Sequence, residues 1–332
     1  MSEQVTNWNI LGHEWAVDLL HQHVAQREVR HAYLITGPVG VGRRTLAVRF
    51  AQAVNCAQPV APGQPCGSCR TCLQIEGMRH ADLTVVQAEQ EGGVLKIDQV
   101  REILRTVSLK PFQSPYRIAL FLRFQEANAN AQNALLKTLE EPPSHALIIL
   151  TADNAEQLLP TVVSRCEVLR LRPLPVDKVS DFLVAQKTDP EKARLLAHLS
   201  GGRPGVALNL LNDPGAMAFR EERLADLRTL LSDSRRVKFA AAEKLARDRE
   251  GLRRTLLVWS AYWRDVLLLR AGSEAPLTNV DRAAELRSLA GRLSLPEARR
   301  AVSEIELGIE RLERNVNPRL LVEVLLMDMP KL

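Results

Sequence analysis

The most specific chemistry in the sequence lies in four cysteines. Cys56, Cys66, Cys69 and Cys72 follow the spacing C-x9-C-x2-C-x2-C and leave only Cys166 outside the group. Three thiols spaced in this way can converge on one ion, and Cys56 can close a tetrahedron across the loop that contains Pro59, Pro62 and Gly63. Disulfides are the poorer reading, because the opening Met1-Ser2-Glu3-Gln4 is neither a basic leader nor followed by an apolar run. Four unrelated small hydrophobes and an iron–sulfur cluster are the weaker alternatives, since nothing else in the chain implies electron transfer. Structural Zn2+ is the favoured ligand. Four thiolates leave no open coordination position, so such an ion would order a module and do no chemistry.

A second motif is Gly37-Pro38-Val39-Gly40-Val41-Gly42-Arg43-Arg44-Thr45, between a predicted strand and a predicted helix. Its frame is that of a phosphate-binding loop, G-x-x-x-x-G-K-[ST], in which backbone N–H groups and a helix N-terminus surround phosphate oxygens. Arg43 stands where Lys would reach the β- and γ-phosphates, and Arg44 where a hydroxyl would hold Mg2+. A planar guanidinium is a poor substitute for a compact ammonium in so tight a loop, and Arg44 cannot coordinate a cation. Thr45 comes one position late, about 100° around the helix. The alternative, an ordinary glycine turn, is less economical than a phosphate loop that has lost its side chains; ATP and Mg2+ are not expected to bind productively.

Hydrolysis by such a domain also needs acids at the end of a second apolar strand. The strand Ile118-Ala119-Leu120-Phe121-Leu122 instead runs into Arg123-Phe124-Gln125-Glu126, so Leu122 and Arg123 occupy the expected acidic positions and Glu126 arrives about three residues late. Two further segments are informative only in combination. Asn133-Ala134-Leu135-Leu136-Lys137-Thr138-Leu139-Glu140-Glu141-Pro142-Pro143 reads as a helix stopped by a double proline. Thr161-Val162-Val163-Ser164-Arg165-Cys166 puts Arg165 after a short apolar helical turn and before the last strand, and a solvated surface charge is the plain reading of that arginine.

The elements that must position these residues are legible. Apolar runs at His31–Thr36, Leu83–Val86, Arg117–Leu122, Ala146–Leu150 and Val168–Leu171 alternate with helical patterns at Leu46–Val54, Ile97–Val107 and Ala127–Glu140. Near-continuous apolar strands separated by helices predict a parallel sheet covered on both faces, an α/β domain. After Pro173 and Pro175 nothing reads as a strand. A helical segment Asp177–Leu199 leads to Gly201-Gly202-Arg203-Pro204-Gly205, and from about Asp213 the pattern is that of a helical bundle. The net charge of +5 is spread over both halves, and aromatic residues make up only 4%, too few for a base-stacking platform. No stretch approaches the roughly 18 apolar residues of a membrane span, so secretion and membrane insertion are not expected and a cytoplasmic location is.

Taken in order, Trp8-Asn9-Ile10-Leu11-Gly12-His13, His31-Ala32-Tyr33-Leu34, the altered loop, the cysteines, Asn133–Pro143 and Ser164-Arg165-Cys166 resemble the bacterial clamp-loader AAA+ family. Asn315-Val316-Asn317-Pro318-Arg319-Leu320-Leu321-Val322-Glu323 is similar to its last collar helix. The departures at Arg43, Arg44, Leu122 and Arg123 resemble its non-motor type of subunit rather than the gamma/tau motors. The resemblance implies an AAA+ core over 1–172 with a zinc module at 56–72, an all-α lid over 173–212 and an all-α collar for oligomerisation over 213–332. It implies a hetero-oligomer with gamma/tau and delta subunits that places the sliding clamp on primed DNA, contacting the primer-template through the complex. It implies no intrinsic catalysis, although the whole assembly serves a DNA polymerase. By resemblance, Arg165 is an arginine finger aimed at ATP in the adjacent subunit. Arg203 is displaced from the position of the nucleotide-sensing lid arginine of active relatives, and that role is not carried over. The competing readings are an active gamma/tau-type ATPase that uses Arg43 and Glu126, and a free-standing zinc-dependent DNA-binding protein.

Overall fold

The computed structural model describes residues 8–90, 92–314 and 316–330. Asn315 of the collar-like motif and the opening Met1–Gln4 lie outside the described residues. The chain divides into two compact units, one running up to Lys178 and including Arg203–Gly205, the other comprising Val179–Gly202 and the chain from Val206 onward.

In the first unit, α1 (Glu14–Ala25), β1 (Ala32–Thr36), α2 (Arg43–Asn55), α3 (Arg70–Glu76), β2 (Leu83–Val86) and α4 (Ile97–Ser108) are followed by β3 (Arg117–Phe121), α5 (Ala129–Glu140), β4 (Ala146–Ala152), α6 (Pro160–Val163) and β5 (Glu167–Arg170). The five strands form one parallel sheet in the order β2-β3-β4-β1-β5. Alternate residues of each strand face opposite cores, as the two-residue period of a strand requires. Tyr33, Ile35, Ile118, Leu120, Leu147 and Ile149 pack with Leu20, Leu46 and Phe50 on one side. Leu34, Ala119, Phe121, Ile148 and Leu150 pack with Val100, Ile103 and Leu135 on the other. Burial on both faces explains why these strands read as unbroken apolar runs.

Boundaries move where capping decides them. α5 starts at Ala129, not Ala127, because the Asn128 side chain accepts from the Ala131 N–H at 2.9 Å. β4 continues two residues beyond Leu150, through Thr151 and Ala152, which stay in register with Ile35 and Thr36.

The second unit is helical. The stretch Asp177–Leu199 is two helices, α7 (Val176–Ala185), which begins in the first unit, and α8 (Pro190–Leu199). Lys187 takes a left-handed conformation (φ +65°) between them, and Asp189 caps α8 ahead of Pro190. Then come α9 (Pro204–Asn212), α10 (Pro214–Ser232), α11 (Arg235–Ala246), α12 (Arg249–Arg270), α13 (Ala283–Arg292), α14 (Leu295–Glu313) and α15 (Pro318–Asp328). Leu252, Leu256, Trp259, Trp263 and Val266 of α12 lie three or four residues apart on one buried stripe, the helical period that makes α12 the spine of this core. The buried carboxylate of Asp265 accepts from the N–H groups of Thr278 and Asn279 at 3.0 and 2.7 Å, fixing the connection between α12 and α13. Among the described residues no helix is long and apolar enough to cross a membrane.

Candidate functional site

Sheet topology brings the glycine loop to the carboxyl end of β1, between the ends of β4 and β5. Gly37 (φ +147°) has no room for a side chain, since a Cβ would lie 2.6 Å from the Leu171 carbonyl oxygen. Gly42 (φ +114°) is the N-cap of α2. The loop is held from several sides. The Gly37 N–H donates to the Asp153 carbonyl at 3.0 Å, His13 Nε2 to Val41 O at 3.1 Å, and the Gly205 N–H to Gly40 O at 2.8 Å. Burial lowers the His13 pKa, so the ring works here as a neutral donor.

The two altered side chains are both engaged by other residues of the chain. Arg43 is nine-tenths buried, and its Nη2 lies 2.6 Å from Asp153 Oδ1, just past β4. Its charge is thus neutralised by an internal carboxylate. Arg44 is exposed and donates from Nη2 to the Met78 sulfur at 3.4 Å, while Thr45 faces solvent. At the end of β3, Leu122 is buried and Arg123 takes φ +52°. Arg123 Nε binds Glu126 Oε1 at 2.8 Å, and the same oxygen accepts from the Gly92 N–H at 2.9 Å. The displaced acid is therefore tied to a cation and a loop.

Arg165 follows α6 at the start of β5. Its Nη1 donates to the Thr161 carbonyl at 2.9 Å and approaches Ser164 Oγ at 3.4 Å, and its Nη2 pairs with Glu140 Oε1 at 2.9 Å. The side chain keeps about a third of its surface open, 35%.

The cysteine module lies between α2 and β2. The four Sγ atoms all fall within 4.8 Å of one another, with Cys56 at 3.6 Å from Cys66, 3.9 Å from Cys69 and 3.5 Å from Cys72, and Cys66 at 4.0 Å from Cys72. A tetrahedron with Zn–S bonds of ~2.3 Å has edges of ~3.8 Å, so these separations fit four-thiolate coordination. The N–H groups of Cys66, Cys69 and Cys72 point at the sulfurs of Cys56, Cys66 and Cys69 at 3.3–3.4 Å, the donors a thiolate cluster needs. Backbone donors from Cys69 and Ser68 bring the Cys66 thiol down to about 6, whereas burial pushes Cys56 and Cys72 up. Gln52 of α2 anchors the module by donating to Cys72 O at 2.8 Å and Glu76 Oε2 at 3.0 Å. Trp8 Nε1 holds the opposite loop through Gly63 O at 3.2 Å.

The candidate loop, metal and finger residues thus occupy three places: the loop (Gly37, Gly40, Gly42, Arg43, Arg44, Thr45), the thiolate cluster and the Arg165 turn, while Leu122, Arg123 and Glu126 lie just past the end of β3. Sequence reasoning missed Asp153, Glu140, Gly205 and His13, which meet these residues only through the fold. Of these, Glu140 carried a signal: two acids at a helix C-terminus just before a double proline are electrostatically out of place.

A parallel β2-β3-β4-β1-β5 sheet with a glycine loop between β1 and α2 defines the P-loop α/β class in its AAA+ form. The family described as "DNA polymerase III, delta subunit" matches residues 12–175, and that described as "DNA polymerase III, delta subunit, C terminal" matches residues 214–331. The DNA polymerase III subunit delta' of Bacillus subtilis is 28% identical over 317 residues, covering 93% of both chains. That of Pseudomonas aeruginosa is 35% identical over 199 residues, 59% of this chain and 60% of the relative. A DNA polymerase III subunit tau/gamma, from Haemophilus influenzae, is 30% identical over 64% of this chain but only 31% of its own length. The chain belongs to the delta' family of DNA polymerase III subunits.

Proposed function

We propose that this chain is a clamp-loader subunit of the replicative DNA polymerase III that turns over no ATP itself and supplies Arg165 to the active site of an adjacent gamma/tau-type subunit. The observation that carries this reading is a contrast within one unit. Arg43 and Glu126 are buried in ion pairs with Asp153 and Arg123, while Arg165, paired with Glu140 at the surface, keeps about a third of its side chain open. On this reading the three parts 1–172, 173–212 and 213–332 serve as core, lid and collar. The partners are gamma/tau and delta subunits, the sliding clamp and, through the assembly, primer-template DNA in the cytoplasm. Cys56, Cys66, Cys69 and Cys72 would hold one structural Zn2+, which supplies folding energy to the 56–72 module and no open coordination position. Nothing in the site favours the active-ATPase reading, since its candidate base is ion-paired.

In the adjacent subunit's reaction, a guanidinium placed beside the transferring phosphoryl stabilises the charge that develops on its oxygens. Replacing Arg165 by Ala in the reconstituted loader is expected to lower DNA-stimulated ATPase on the order of 10³-fold or more, with assembly intact by gel filtration. Unchanged turnover in a fully assembled complex would remove the mechanism.

A further inference from the structure

We infer that Glu140 is a positioning residue for Arg165, an inference that rests on the arginine-finger reading above. The geometry is specific. Arg165 Nη2 meets Glu140 Oε1 at 2.9 Å, while Nη1 is held by Thr161 O at 2.9 Å. The guanidinium is therefore gripped from two elements, the last turn of α5 and the short helix α6. Guanidinium offers five N–H donors in a fixed fork. Among the described residues these contacts engage Nη1 and Nη2, and the Nε–H takes part in neither, which leaves a donor that can meet a phosphoryl oxygen.

The location of Glu140 argues that this contact is its purpose. It is the last residue of α5, and Glu141 follows directly before Pro142. The carbonyl end of a helix carries partial negative charge, so a carboxylate there is locally unfavourable, and a second one more so. Local helix stability cannot account for an acid at this position; a cation brought in from another element can. Both side chains are substantially exposed, so the pair contributes little to stability, and its effect is to narrow the orientations Arg165 samples before a triphosphate arrives.

The test uses the reconstituted loader carrying Glu140→Ala, Glu140→Gln, Arg165→Ala or the Glu140→Ala/Arg165→Ala pair in this subunit. Glu140→Ala is expected to lower kcat of the DNA-stimulated ATPase about two- to fivefold, the range an exposed ion pair can supply, with KM for ATP unchanged. Glu140→Gln keeps an acceptor oxygen and should recover most of that loss. In the Arg165→Ala background, Glu140→Ala should have no further effect. The melting temperature of the Glu140 variants should be unchanged or slightly raised, which a residue with a merely structural role would not show. If Arg165→Ala collapses turnover but Glu140→Ala matches or exceeds the unaltered complex, the positioning role is wrong and the finger stands. The positioning role is equally wrong if Glu140→Ala costs as much without Arg165 as with it. If Arg165→Ala leaves turnover intact, the finger and its positioning fall together.

Discussion

Asp82 offers the most quantitative test of how the β2–β3 edge of the sheet is held. Its side chain is fully buried just before β2, and it accepts four hydrogen bonds: from the N–H groups of Phe112 (2.6 Å), Gln113 (2.9 Å) and Ser114 (3.0 Å) and from Arg117 Nη1 (3.0 Å). One carboxylate thus fixes the whole turn that feeds β3. Replacing Asp82 by Ala strands the Arg117 charge, whose side chain is only 15% exposed, along with three backbone donors. Breaking a buried pair from one side costs about 3–5 kcal/mol. For a unit of this size that lowers the melting temperature by ~6–20 °C. The pH dependence has a definite sign. Burial alone would raise the Asp82 pKa, but the Phe112 and Gln113 N–H groups, the Arg117 guanidinium and the Ser114 N–H outweigh it and hold the carboxyl below the usual aspartate range. A depressed folded-state value means that this contribution is fully present above the unfolded value of about 3.9 and is lost as the pH falls through the lower folded value. Thermal melts of the full chain from pH 7 down to pH 3, with amide exchange followed across β2 and β3, measure both effects. A variant that melts within 2 °C of the parent at pH 7, or an acid limb equally steep in parent and variant, would refute the reasoning.

Other outcomes follow from the same structure. Metal analysis of protein purified without chelators is expected to give about one Zn per chain, the single closed four-thiolate site of this geometry. Stripping it should remove ~4 kcal/mol when free Zn2+ had been near a thousand times its dissociation constant, seen as an early melting transition that added Zn2+ reverses. Restoring the loop consensus with Arg43→Lys and Arg44→Thr should not bring back hydrolysis, because Leu122 and Arg123 still replace the acids of β3. A Mg2+-dependent ATPase in that double variant would show that the β3 end is not needed.

Much of the fold was legible because burial on both sheet faces leaves strands such as Ala146–Ala152 unbroken in apolar residues, a signal that survives in one dimension. The cysteines were legible for a related reason: short chelate spacings bring their ligands together locally, whatever the rest of the chain does. The stretch Asp177–Leu199 was legible as helical but not as two helices: Lys187 adopts a left-handed turn that lysine does not advertise, and Asp189 caps a new start ahead of Pro190. The charge partners were the least legible. Arg43 meets Asp153 because β1 and β4 deliver their carboxyl ends to one side of the sheet, and Arg165 meets Glu140 because α6 and α5 lead into the amino ends of β5 and β4. The same holds for Gly205, whose N–H closes on Gly40 O although nothing in Gly201–Gly205 names its partner. Sequence shows that Arg43 replaces Lys; only the fold shows that its charge is already neutralised.

The central claim, that this chain's own loop no longer grips a metal-bound triphosphate, is tested most directly by ATP binding and hydrolysis measured together on the purified subunit alone, with and without Mg2+. The account predicts turnover at the uncatalysed background and no gain in ATP affinity on adding Mg2+. Steady hydrolysis that requires Mg2+ and disappears in Glu126→Gln would contradict it.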